Sequence, residues 1–199
     1  FGAGPGAVRF IDGTFQDHVA LEDRIARFCG RPAAKIFNSA YTTNLGLALA
    51  LQNKKTFWIG DQLNHNCIIR AMRIAGVPRH QKAIYQHNDM EQLRQAIENV
   101  PEGIERVIVI FDGVFSMRGD YAPIAQINEV LAPHRNRFKE GLVTVVDDRA
   151  SSLPQPLCMP LSLNRFTCSL RWSSTTSTTC RHQPPAAAAP LPASLLSPA

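Results

Sequence analysis

The chain has 199 residues, 45% of them hydrophobic, with 21 basic and 16 acidic side chains and a formal charge of +5. That length holds one domain or part of a larger one. Residues 149–199 contain four arginines (Arg149, Arg165, Arg171, Arg181) and no acid, so residues 1–148 carry 17 basic against 16 acidic groups; with no basic stripe interleaved with aromatics, nucleic acid is dropped as an expected partner.

From the amino end, Phe-Gly-Ala-Gly-Pro-Gly opens without an initiator Met, which leads us to expect residues ahead of Phe1. Its glycines make a loop that another backbone or a ligand can approach closely, but no strand precedes them to make a dinucleotide fingerprint. Over His18 to Cys29 the apolar Val19, Leu21, Ile25 and Phe28 fall at helical spacing, with Asp17 as N-cap and Gly30 just past the end. Ala34 to Phe37 is a short strand candidate. The stretch 38–44, Asn-Ser-Ala-Tyr-Thr-Thr-Asn, then opens a second helix through Leu51. Small and hydroxyl residues at a helix start suit either a phosphate or ordinary capping.

Thr56 to Gly60 reads as a strand, followed by Asp61-Gln62-Leu63-Asn64-His65-Asn66 and a helix through about Gly76. His65 either stacks on a ligand ring or caps that helix. Met90 to Val100 is a further helix, and Arg106 to Phe111 is the clearest parallel-type strand. Asp112 to Asp120 is expected as a loop bearing polar groups at the sheet edge, and Pro123 to His134 as a helix. Leu142 to Asp148 is a β-branched apolar run that ends on two carboxylates. It reads as a strand buried on both faces, with its acids at the carboxyl edge, where open α/β folds bind ligands. Strand and helix alternate, so the expected fold is α/β with a largely parallel sheet.

After Asp148 the composition changes. Residues 151–199 hold eight of the fourteen prolines and runs such as Ser-Ser-Thr-Thr-Ser-Thr-Thr. Too little apolar surface is available there to offset ordering entropy, so 149–199 is expected as a disordered or out-of-frame tail. The five cysteines (29, 67, 158, 168, 180) form no C-x-x-C pair. Cys29 and Cys67 read as packing residues and no metal site is expected. Neither a signal peptide nor an apolar run of membrane-spanning length is present, so a reducing cytoplasm is the expected compartment.

Several stretches together resemble one family: Gly-Ala-Gly-Pro-Gly-Ala-Val-Arg-Phe-Ile-Asp-Gly-Thr, Asn-Ser-Ala-Tyr-Thr-Thr-Asn, Asp-Gln-Leu-Asn-His-Asn-Cys-Ile-Ile, His-Asn-Asp-Met, Asp-Gly-Val-Phe-Ser-Met-Arg-Gly-Asp and Val-Val-Asp-Asp. In order along residues 1–148 they are similar to the α-oxoamine synthases, pyridoxal-phosphate (PLP) enzymes that join an amino acid to an acyl-CoA. Glycine C-acetyltransferase is the expected nearest type. The resemblance implies part of the large domain of the aspartate-aminotransferase (fold type I) fold in 1–148, and a homodimeric parent. It implies that Asp147 meets the pyridine nitrogen, His65 stacks on the ring and Ser116 lies by the ring oxygen. Backbone N–H groups at Ala40 and Tyr41 would hold the phosphate, and Arg9 would lie near the substrate entrance. Asn44 and His18 match family positions without an assigned role.

The sequence also departs from the family. After Val-Val-Asp-Asp the family continues Ala-His or Ser-His, whereas Arg149 and Ala150 stand here. The Lys that would link covalently to the cofactor is expected further on, yet no Lys follows Lys139, and a reactive amine is what that chemistry requires. A shift of reading frame just after Asp148 would account for both. The expected function is therefore a PLP-dependent acyltransferase fragment, inactive as given; the alternative is a non-catalytic interaction protein on the same fold.

Overall fold

The structure, a computed structural model, describes residue 4, residues 6–148 and the backbone of residues 165–167. The expectations placed on the rest of the tail lie outside the described residues. The central sheet is parallel with strand order β2-β1-β3-β6-β7. Its strands are β1 (Thr56–Asp61), β2 (Lys82–Tyr85), β3 (Arg106–Asp112), β6 (Gly141–Asp147) and β7 (Arg165–Thr167). A two-stranded antiparallel hairpin, β4 (Val114–Phe115) and β5 (Asp120–Tyr121), leaves the end of β3.

The period of two along each strand divides the core in two. Phe57, Ile59, Val107, Val109 and Phe111 face α4 (Met90–Glu98) and α5 (Ile124–Leu131), packing with Leu93, Ile97, Ile127 and Leu131. Trp58, Ile108, Ile110 and Val145 face the other way, onto α2 (Ala40–Leu51) and α3 (Asn66–Ile74), through Ala48, Ile68, Ala71 and Met72. Strands covered on both faces need continuous apolar runs, which is what β1 and β3 present. Local caps start the helices: Ser39 accepts from the Thr42 N–H, His65 from Cys67 and Asp89 from Gln92.

Several expectations need correcting. α1 (Gln16–Phe28) starts at Phe15, whose N–H donates to His18 Nδ1, and Asp17 lies inside the first turn, where its charge suits the helix dipole. Val19, Leu21, Ile25 and Phe28 are exposed, and the buried residues are Glu22 and Ala26. No strand forms at 34–37, because the Ile36 N–H is taken by the Glu22 carboxylate instead of a ladder. β2 had no sequence signal: Lys-Ala-Ile-Tyr is short, holds one β-branched residue and, among the described residues, pairs only with β1. The 112–120 segment holds the β4–β5 hairpin, and the helix expected to His134 ends at Leu131 in a 3₁₀ turn. β6 is covered less than expected: Leu142, Val145 and Asp147 are buried while Val143, Thr144 and Val146 are half-buried. Among the described residues no helix is long and apolar enough to cross a membrane.

Candidate functional site

The carboxyl edge of the sheet collects three buried acids, one from the end of each of three strands: Asp61, Asp112 and Asp147. Strand parity sorts them. Asp112 and Asp147 are register partners on the α2/α3 side, whereas Asp61 continues the Phe57, Ile59 series on the α4/α5 side. Asp148, one residue on from Asp147, is exposed. A single step along a strand reverses its face, which is why the two adjacent acids differ so sharply.

Asp147 ties four elements together. Its carboxylate accepts a 2.8 Å hydrogen bond from the Asn44 amide on α2 and lies 3.5 Å from the Cys67 thiol on α3. The Asn44 amide also lies 3.2 Å from that sulfur, so α2 and α3 meet at the acid. The Asp147 carbonyl accepts 2.9 Å from the Gly113 N–H, at the base of the β4–β5 hairpin. Asp112 accepts from the His65 N–H at 2.9 Å, and Asn64 bridges β3 by donating to the Ile110 carbonyl and accepting from the Asp112 N–H. The loop carrying His65 is thus stapled to the sheet edge.

Of the residues expected from sequence, five are carried by elements that meet at this edge. Asp147 is buried at the end of β6. Ala40 and Tyr41 form the first turn of α2, one turn ahead of Asn44, and supply N–H groups that no helical carbonyl reaches. His65 caps α3 two residues before Cys67; its Nδ1 accepts the Cys67 N–H, so the neutral ring carries its proton on Nε2 and stands exposed. Ser116 lies on the exposed hairpin turn, three residues past Gly113. Arg9 is tied to α1 and to residue 36: its guanidinium pairs with Glu22 at 2.7 Å and reaches the Ile36 carbonyl. Cys67 is buried at the acid, more than a plain packing residue.

Sequence reasoning assigned no role to Asn44 and passed over His87, which lies between Asp61 and Asp120. The His-Asn-Asp-Met stretch was the available signal for His87. Chemically, a buried carboxylate beside an open helix N-terminus suits a ligand that offers a proton donor at one end and an anion at the other.

Residues 7–148 match the family described as aminotransferase class I and II. The chain belongs to that family. An 8-amino-7-oxononanoate synthase of Symbiobacterium thermophilum is 39% identical over 152 residues, covering 76% of this chain and 36% of its own length. The synthase of Geobacter sulfurreducens is 40% identical over 148 residues, with 74% and 35% covered. Among solved structures, SPT with PLP superposes with a TM-score of 0.65 at 29% identity, covering 74% of this chain and 34% of that one. Sphingomonas wittichii serine palmitoyltransferase gives 0.64 at 30%.

This aminotransferase class I and II chain thus spans about a third of the length of the relatives it matches. Its residues align with α-oxoamine synthases, its α/β sheet is that of the fold type I large domain, and the cofactor of the family is PLP. The donor set at the carboxyl edge fits that group: an acid for a basic ring nitrogen, a helix start for a phosphate and an exposed imidazole for a ring face.

Proposed function

We propose that residues 1–148 form the cofactor-binding part of a PLP-dependent acyltransferase whose whole protein condenses a glycine-like amino acid with an acyl-CoA as a cytoplasmic homodimer. The observation that carries this reading is the buried Asp147 carboxylate, oriented by Asn44 and set beside the first turn of α2. PLP bound here supplies an electron sink for a substrate carbanion. Asp147 holds a proton at the pyridine nitrogen, and Asn44 and Cys67 keep its carboxylate aimed. The Ala40 and Tyr41 N–H groups and the helix dipole hold the phosphate. His65, fixed in orientation by its bond to Cys67, would cover a ring face, Ser116 would serve the ring oxygen from the hairpin, and Arg9 would line the approach.

Within these 199 residues no Lys follows Lys139, so none lies downstream of Asp147 to anchor the cofactor. Its five lysines are Lys35, Lys54, Lys55, Lys82 and Lys139. Lys54 and Lys55 precede β1, Lys139 precedes β6 and Lys82 opens β2, all at the amino edge of the sheet, a strand length of about 20 Å from Asp147. Lys35 pairs with Glu22. We therefore read this chain as catalytically inactive. Borohydride treatment after PLP addition tests it: reversible binding with no reduced Lys adduct is expected, and a single-site reduced adduct overturns the inactivity.

A second reading, a non-catalytic interaction protein on the same fold, draws support from α1 and the segment before it, where Phe10, Ile11 and Phe28 stand exposed.

A further inference from the structure

His87 follows β2 in the His-Asn-Asp-Met stretch and is used by nothing described above. Its side chain is only one-tenth exposed. Nδ1 lies 3.0 Å from Asp61 at the end of β1, and Nε2 lies 3.0 Å from Asp120 at the start of β5. The ring edge meets Phe115, with centroids 4.3 Å apart at 80°. Phe115 and Asp120 are the cross-strand pair directly opposite each other in the hairpin. One imidazole therefore holds both strands of the hairpin against the sheet edge, beside Ser116.

Carboxylates only accept hydrogen bonds, and a neutral imidazole has one N–H. Donating to both acids needs a proton on each nitrogen. Loss of that proton has a waiting alternative, because the Asn88 amide lies 3.2 Å from Nε2. Asn88 is held there by its own N–H, which donates to Asp61 at 3.0 Å, in a left-handed backbone with φ of 56°. We propose that His87 is a proton-operated clasp that positions the β4–β5 hairpin, and with it Ser116, against the carboxyl edge of the sheet. As the imidazolium it bridges Asp61 and Asp120. When neutral it keeps Nδ1–H on Asp61, turns its Nε2 lone pair to Asn88 and releases Asp120.

The surrounding groups favour the charged form. Burial pulls the His87 pKa down, but the bonds to Asp120 and Asp61 outweigh this and raise it above the ordinary histidine value. Asp61 also accepts from the Leu63 N–H. Arg118, on the hairpin turn 3.5 Å from Asp120, is the facing cation and leaves Asp120 a second, more exposed partner. The buried Tyr85 phenol beside Asp61 has its pKa pushed far up, first by burial, and stays neutral. Since the His87 pKa is raised by the closed hairpin, the clasp is complete at low pH and is lost as pH rises through that pKa.

The clasp is measured on the chain without PLP, so its failure is separable from failure of the cofactor reading; only the consequence for Ser116 rests on that reading. Imidazole NMR of the full chain gives the His87 titration, and amide exchange gives protection factors for residues 115–121, both from about pH 5 to about pH 9, bracketing the ordinary histidine range. Hairpin protection is expected to fall about tenfold with the same midpoint as His87, a tenfold change being one pKa unit between closed and open states, while β3 amides stay level. Asp120→Asn is expected to lower the His87 pKa and to make hairpin protection independent of pH. Flat protection in the unaltered chain across the His87 titration would overturn the proposal, as would an undiminished pH dependence in Asp120→Asn.

Discussion

The Asn44 amide donates a 2.8 Å hydrogen bond to the Asp147 carboxylate across 103 residues of chain, and both side chains are buried. This bond fixes the first full turn of α2 relative to the end of β6, so the two halves of the candidate cofactor site share one rigid reference. Asn44→Ala removes a donor from a buried carboxylate and is expected to cost about 1–3 kcal/mol, read as a lowered urea midpoint. Asn44→Asp sets two carboxylates together and should cost more, with the deficit shrinking as pH falls and one of them is protonated. Equal stability of both variants would remove Asn44 from the site.

Asp147→Asn tests the acid itself. A neutral amide in place of the carboxylate loses a charge-assisted bond of about 1.5–3 kcal/mol, or about ten- to hundredfold in PLP affinity. Fluorescence titration of PLP into both chains, with circular dichroism to verify the fold, reads the difference. Unchanged affinity would mean that the pyridine nitrogen is not at Asp147.

Glu22 makes a prediction about acid. Burial raises its pKa, yet hydrogen bonds from Arg9, Lys35 and the Ile36 N–H dominate and bring it from 4.5 down to about 2. A carboxylate depressed on folding stabilises above its unfolded pKa and loses that contribution as pH falls through the folded value. The attachment of residues 9 and 35–36 to α1 should therefore weaken between about pH 4.5 and about pH 2, seen as rising amide exchange at Ile36. Glu22→Gln should abolish that dependence and cost about 1–3 kcal/mol. Most of this belongs to the contacts with Arg9 and Ile36, since the Lys35 ammonium is 71% exposed and screened.

Gly113 sits where the hairpin leaves β3, its N–H on the Asp147 carbonyl. A Cβ there would come 3.2 Å from Val146 Cγ1 and 3.3 Å from the Asp148 carboxylate. Val146 packs against the core and yields little, whereas Asp148 is exposed and can move. Gly113→Ala is expected to cost about 1–3 kcal/mol and Gly113→Val more. A urea midpoint unchanged in Gly113→Val would show that the hairpin base gives way freely.

The alternation of β1, α3, α4, β3, α5 and β6 was legible because each is written in near neighbours: β-branched runs for the strands, a 3.6 period and capping residues for the helices. Asp147 at a strand end and His65 at a helix start were legible for the same reason. β2 was not, since a four-residue edge strand takes its conformation from its partner. α1 misled because its apolar spacing suggested an inward stripe, while the buried anchor was Glu22, whose partners Arg9, Lys35 and Ile36 lie 13 to 14 residues away.

By itself the sequence determined an α/β chain with a parallel sheet, acids at its carboxyl edge and a family resemblance across residues 1–148. Only the tertiary structure decided that Asp147 and not Asp148 is enclosed, that Asn44 and Cys67 hold it, and that His87 joins two acids from different strands. The reason is one of range. Propensity and capping act over a few residues, whereas strand parity selects a face only once the helices cover it, and contacts spanning 80 or 103 residues exist only after the layers have packed.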